Sequence, residues 1–123
     1  MTRIMKSSLV LATLFLIGTT VSAVQNKMTL QGYLMDRACA AGVLKSDDKA
    51  AAAKKHTKDC ALSCADSGFG VLAGDKYYRF DDHGNKLAEA LLKATKKSSD
   101  ISVEVTGSLK GDVLAVDSLS ERE

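Results

Sequence analysis

The chain has 123 residues, with 17 Lys and Arg against 15 Asp and Glu, three Cys, and neither Trp nor Pro. A chain of this length holds a single domain that buries only about 60–70% of its unfolded surface, so an exported example is expected to carry a staple, either a disulfide or a metal. The basic excess is Arg3 and Lys6, and without residues 1–23 the count is 15 against 15; with few aromatic side chains to stack bases as well, a nucleic-acid partner is not expected.

Residues 1–23 read as a cleavable signal peptide. Arg3 and Lys6 give a positive start, Leu9 to Ile17 is an apolar run broken only by Thr13, and Val21-Ser22-Ala23 supplies small residues at a cleavage position. The run dissolves at Gly18-Thr19-Thr20, short of the roughly 20 apolar residues that a membrane anchor needs. No cysteine follows it directly, which excludes an acylated amino-terminal cysteine. The expectation is a periplasmic or secreted protein with no membrane association after cleavage, and one domain over 24–123.

Met28 to Asp36 alternates, with Met28, Leu30, Gly32 and Leu34 on one face and Thr29, Gln31 and Tyr33 on the other, the pattern of a half-buried strand. Ser46 can cap a helix with Asp47 and Asp48 in its first turn, and the alanine-rich stretch Lys49 to Ala65 continues it to a stop at Gly68. Phe69 to Ala73 and Lys76 to Phe80 read as a hairpin around Gly74-Asp75. Asp81 to Asn85 supplies turn and capping residues, and Leu87, Ala88, Leu91, Leu92 and Thr95 recur at helical spacing, with Glu89 four residues before Lys93. Ile101, Val103 and Val105 alternate, Gly111-Asp112 can turn the chain, and Val113 to Leu119 returns as the last strand.

The predicted fold is therefore α+β, mainly β with two helices. With 37–67 taken as a cysteine-bearing helical insertion between strands one and two, the remaining order is three strands, a helix and two strands, which matches a five-stranded oligonucleotide/oligosaccharide-binding (OB) barrel.

Cys39, Cys60 and Cys64 all follow the signal segment, and an odd count in an oxidising compartment leaves at least one thiol unpaired or gives all of them to a ligand. His56, Cys60 and Cys64 stand four residues apart, so on one helix they form a single stripe, drifting about 40° and rising about 6 Å per step. Neighbours in the stripe can share a metal, but positions eight apart are separated by about 12 Å and cannot.

Two arrangements remain open. In the first, Cys60, Cys64 and Cys39 bind a thiophilic ion, Zn(II) or Cu(I), completed by Asp36, by water, or by His56 if the helix is distorted near Lys58. In the second, Cys39 bridges to Cys60 or Cys64 across a loop of about 20 residues, worth about 2–4 kcal/mol. A Cys60–Cys64 bridge strains a regular helix. A third use, as a thiol redox enzyme, requires Cys60 or Cys64 to be exposed with a depressed pKa, lowered by His56 or Lys58.

The second half, from Gly74-Asp75-Lys76-Tyr77-Tyr78-Arg79-Phe80-Asp81-Asp82 through Val105-Thr106-Gly107 to Val116-Asp117-Ser118-Leu119, resembles the small exported OB-fold domains of bacteria. The cysteine segment comprises Gly32-Tyr33-Leu34-Met35-Asp36, Cys39, Lys55-His56-Thr57, Cys60-Ala61-Leu62-Ser63-Cys64 and Ser67-Gly68-Phe69-Gly70-Val71. It is similar to a group of exported bacterial proteins of no assigned activity, so the resemblance implies a family without an activity.

Other motifs reduce to structural roles. Gly68-Phe69-Gly70-Val71-Leu72-Ala73 matches G-x-G-x-x-A but is followed by a turn and a strand. His83 lies among turn residues, and the lysines at 54, 55 and 58 and at 93, 96 and 97 read as solvated helix faces. There is no G-x-S-x-G and no C-x-x-C-H. The sequence thus points to a binding or structural module rather than an enzyme. Its partner is either a metal held by Cys39, His56, Cys60 and Cys64, or a protein or glycan recognised by a disulfide-stapled barrel through Tyr33, Tyr77 and Tyr78.

Overall fold

Five alternating apolar segments form the strands of a computed structural model that describes residues 26–123 and Gly18. Apart from Gly18, the expected signal peptide over 1–23, with its cleavage position, lies outside the described residues. β1 (Lys27–Asp36) runs antiparallel to β4 (Ser102–Lys110) from Lys27 to Tyr33, then to β2 (Phe69–Ala73) from Tyr33 to Asp36. β2 forms a hairpin with β3 (Lys76–Phe80), and β4 forms one with β5 (Val113–Glu121). The Gly74-Asp75 and Gly111-Asp112 turns stand where the sequence places them. A short parallel contact, Arg79 with Val113 and Phe80 with Leu114, makes the sheet mixed. The order β1-β2-β3-β5-β4, with β1 bonded to both β2 and β4, closes the sheet on itself.

The strand period of two sends Leu34, Phe69, Val71, Phe80, Val103, Val105, Leu114 and Val116 into one buried cluster, which Ala88 and Leu92 of α4 (Asp82–Ala94) join. A second cluster comprises Met35 and Leu72 of the sheet with Ala40, Val43 and Ala53 of the insertion. Leu34 and Met35 enter different clusters, so the end of β1 is buried on both faces. That is where the insertion attaches.

The helical count departs from expectation. The segment between β1 and β2 holds α1 (Arg37–Val43), α2 (Lys49–Lys55), α3 (Lys58–Ser63) and a 3-10 turn at Ala65–Ser67, where the sequence pattern predicts one helix. Asp48 rather than Ser46 caps α2, its side chain accepting from the Ala51 N–H at 3.0 Å. Gly68 stops the segment as predicted, with φ 84°.

The Lys49 to Ala65 helix breaks at His56-Thr57 because other groups take over the backbone there. Lys58 N–H donates to the Ser98 carbonyl at 2.8 Å, Thr57 bridges Ser99, and Asp100 N–H donates to the Lys54 carbonyl at 3.0 Å. The second predicted helix forms, but it begins at Asp82 and includes His83, Gly84 and Asn85. Asp81 caps it, accepting from the Gly84 N–H at 2.9 Å. A Cβ at position 84 would stand 2.8 Å from that of Phe80, and also against Val116; the glycine that reads as a turn residue is what lets α4 lie directly on the sheet.

Candidate metal centre

Three short elements converge at the end of β1. Asp36 is fully buried and is the N-cap of α1, its Oδ2 accepting from the Cys39 N–H at 2.8 Å. That bond satisfies one of the amides a helix start leaves unpaired and fixes the carboxylate in place. His56 follows the last residue of α2 with ψ 132°, an extended conformation that ends the helix there. Its Nε2 stands 2.9 Å from Asp36 Oδ1, with only 9% of the histidine side chain exposed and none of the aspartate.

Asp36 Oδ1 and His56 Nε2 thus face each other at ion-pair distance, and neither makes a hydrogen bond to any other group among the described residues. The Cys39 sulfur completes the group, with one donor atom from each residue lying within 4.8 Å of the other two. Donors sharing one zinc at about 2.0–2.3 Å stand roughly 3.3–3.8 Å apart in a tetrahedron. The side chains therefore need shifts of about an ångström or less to hold one ion.

Burial pushes the Cys39 thiol up to about 11; the Asp36 charge, a thiol hydrogen bond to Asp36, and the Cys64 and Cys60 sulfurs push it the same way. Cys39 is thus a poor nucleophile near neutral pH, the reverse of what thiol catalysis needs. A cation held there would supply what this thiol lacks, since metal ligation removes the thiol proton.

Of the residues singled out by sequence, Cys39 and His56 meet in this cluster, and Cys39 lies on α1. Cys60 and Cys64 do not share a stripe with His56, because the helix ends between them. Cys60 sits in the first turn of α3 and is exposed, while Cys64 caps its end and is partly buried. All three thiols are free.

Cys64 remains tied to α1. The Ser67 hydroxyl donates to the Cys64 carbonyl at 2.7 Å and accepts from the Ala38 N–H at 3.2 Å, while Arg37 N–H donates to the Gly68 carbonyl at 2.9 Å. Asp36 moves from an optional fourth ligand to the centre of the group. The signal for its position was an Asp directly before Arg-Ala-Cys-Ala-Ala, an N-cap pattern. Thr57 was legible in the same way, since its hydroxyl accepts from the Cys60 N–H at 3.1 Å and caps α3.

Of the expected aromatic contacts, Tyr77 is committed inward. Its hydroxyl donates to the Met35 carbonyl at 3.1 Å, beside Asp36, and burial, with the Asp36 charge adding to it, holds its phenol above the usual range. Tyr78 lies under the Lys76 ammonium, 5.0 Å from the ring centre. Tyr33 borders a separate open cleft of about 300 Å³ with Gln31, Ala50, Leu72, Ser102 and Arg122. His83 is an exposed helix residue. Among the described residues no helix is long and apolar enough to cross a membrane. No family model, no curated protein and no solved structure matches the chain.

Proposed function

We propose that the protein is a small exported metal-binding module, an OB-like barrel whose helical insertion holds one Zn(II) or Cu(I) ion through Asp36, Cys39 and His56. The observation that carries this reading is a buried carboxylate oxygen and a buried imidazole nitrogen, Asp36 Oδ1 and His56 Nε2, 2.9 Å apart, with no hydrogen bond to any other described group and a thiol beside them. A cation placed among them satisfies both and ionises the third. One oxygen, one nitrogen and one sulfur suit zinc, and Cu(I) becomes the better fit if Cys64 adds a second sulfur. The order of three strands, a helix and two strands in a closed sheet supports the OB-like reading, and the resemblance of the cysteine segment to exported bacterial proteins supports an extracytoplasmic site of action.

The test is metal analysis and zinc titration of the reduced, purified protein, alongside the Asp36→Asn and His56→Ala variants. One ion per chain is expected. Asp36→Asn should keep the helix cap, since Asn caps as well as Asp, while losing most of its affinity for the ion. A folded, fully reduced protein that takes up neither zinc nor Cu(I) overturns the assignment.

A further inference from the structure

The outer face of β1, β4 and β5 is polar, and its rows differ in what they bond to. The register sets Thr29 opposite Thr106, Gln31 opposite Glu104 and Tyr33 opposite Ser102. The first row joins hydroxyl to hydroxyl at 3.3 Å, and in the second the Gln31 amide donates to the Glu104 carboxylate at 2.9 Å. The third continues past the end of β5 to Arg122, whose N–H donates to the Ser102 carbonyl at 2.8 Å. Among the described residues neither the Tyr33 nor the Ser102 hydroxyl bonds to another side chain, and the Arg122 guanidinium has no carboxylate partner. Two rows satisfy themselves and the third does not.

That third row is the one that opens on the cleft of about 300 Å³. Leu72, buried and paired with Tyr33 in register, gives the cleft an apolar floor, and Ala50 of α2 borders it. Arg122 is held in place, since the Lys97 ammonium donates to its carbonyl at 2.9 Å. The neighbouring carboxylates are engaged elsewhere: Glu121 accepts from the Thr95 hydroxyl at 2.6 Å, and Glu104 from Gln31.

We propose that this cleft binds a single sugar acid, a pyranose ring carrying a carboxylate. A volume at the lower end of the range for ligand pockets admits one ring. The planar guanidinium of Arg122 takes the carboxylate through two parallel N–H donors, a geometry that also rejects a neutral sugar by leaving the charge unanswered. The Ser102 and Tyr33 hydroxyls and the Gln31 amide oxygen take ring hydroxyls, and the Tyr33 ring with Leu72 takes the C–H face. The site shares no residue with Asp36, Cys39 and His56, so it stands or falls apart from the metal reading.

The experiment titrates the purified protein with glucuronate, with glucose and with acetate, following backbone amide and arginine side-chain NMR shifts, on the native chain and on Arg122→Gln and Ser102→Ala. A ligand of about 13 heavy atoms at ordinary ligand efficiency reaches a dissociation constant of about 1 mM, and glucuronate should bind at that level or tighter, with shifts centred on Tyr33, Ser102 and Arg122. Glucose and acetate should each bind at least about tenfold more weakly, Arg122→Gln should weaken glucuronate by about tenfold or more, and Ser102→Ala by about threefold, as loss of a charge-assisted and of a neutral hydrogen bond respectively. Arg122 is exposed, so its variant should keep the native spectrum away from the cleft. Glucose binding as tightly as glucuronate overturns the carboxylate recognition. Acetate binding as tightly reduces the site to an adventitious anion contact and overturns the sugar. No saturable shift up to about ten times the expected dissociation constant, or glucuronate affinity unchanged in a folded Arg122→Gln protein, overturns the site.

Discussion

Asp36 divides its two carboxylate oxygens between structure and chemistry: Oδ2 caps α1, and Oδ1 faces His56. The division separates two substitutions. Asp36→Ala removes the cap and strands His56, and should lower the unfolding free energy by about 1–3 kcal/mol in chemical denaturation. Asp36→Asn should cost less than Asp36→Ala in the same measurement and yet bind zinc no better. Equal stability losses would mean the cap contributes nothing.

Cys39 adds a pH dependence to the metal-stripped protein. Its pKa rises from 9.0 to about 11 on folding, so between those values the native state holds the thiol proton more tightly than the unfolded chain does. Stability is then present below pH 9 and is lost as pH rises toward 11. Chemical denaturation in chelator should show that decline, and Cys39→Ser should flatten it. A slope of the same size in the variant would assign the effect to other groups.

At the scale of elements, the site depends on β2 and β3 as much as on the insertion. Tyr77 crosses over Gly70 to reach the Met35 carbonyl next to Asp36. A Cβ built on Gly70 would stand 2.6 Å from the Tyr77 ring carbon Cζ and 2.7 Å from its hydroxyl, and would also press on the Tyr78 carbonyl. Gly70→Ala should therefore cost about 1–3 kcal/mol through overpacking and weaken zinc binding by displacing the strand end. Tyr77→Phe, which removes only the hydrogen bond, should cost about 0.5–1.5 kcal/mol. A Gly70→Ala protein with native stability and native affinity would remove Tyr77 from the account.

The strands were legible because their apolar positions alternate locally, and the glycine turns and the Gly68 stop carry their own chemistry. Cys39 and His56 were legible as candidates from residue type alone. The break at His56-Thr57 was not, since Lys49 to Ala65 contains neither Pro nor Gly and reads as uninterrupted helix. What ends α2 is Ser98 to Asp100, contributed from beyond α4, with Asp100 itself at φ 54°. A window along the chain cannot see a partner so distant, and the meeting of Asp36 with His56 depends on it.

In the whole molecule the closed sheet and the insertion differ in what holds them. β4 and β5 are long, paired along nearly their full length, and supply much of the larger buried cluster. The insertion consists of helices of seven, seven and six residues, each below the length at which a helix persists unaided; α1 and α2 pack on a cluster of five buried residues, and α3 reaches the larger cluster through Ala61. A metal bound by Asp36, Cys39 and His56 ties the end of β1 and the start of α1 to the α2–α3 junction, so it restrains the part of the molecule with the least packing. Local opening draws on such regions first. Amide hydrogen exchange should therefore be faster across residues 37–63 than across β4 and β5 in metal-stripped protein. Zinc at about 100 times its dissociation constant should slow exchange in the insertion selectively, alongside a gain of about 2.7 kcal/mol in global stability. If zinc slows exchange equally in β4, β5 and the insertion, the ion acts on the fold as one cooperative unit and the insertion has no separate opening for the site to control.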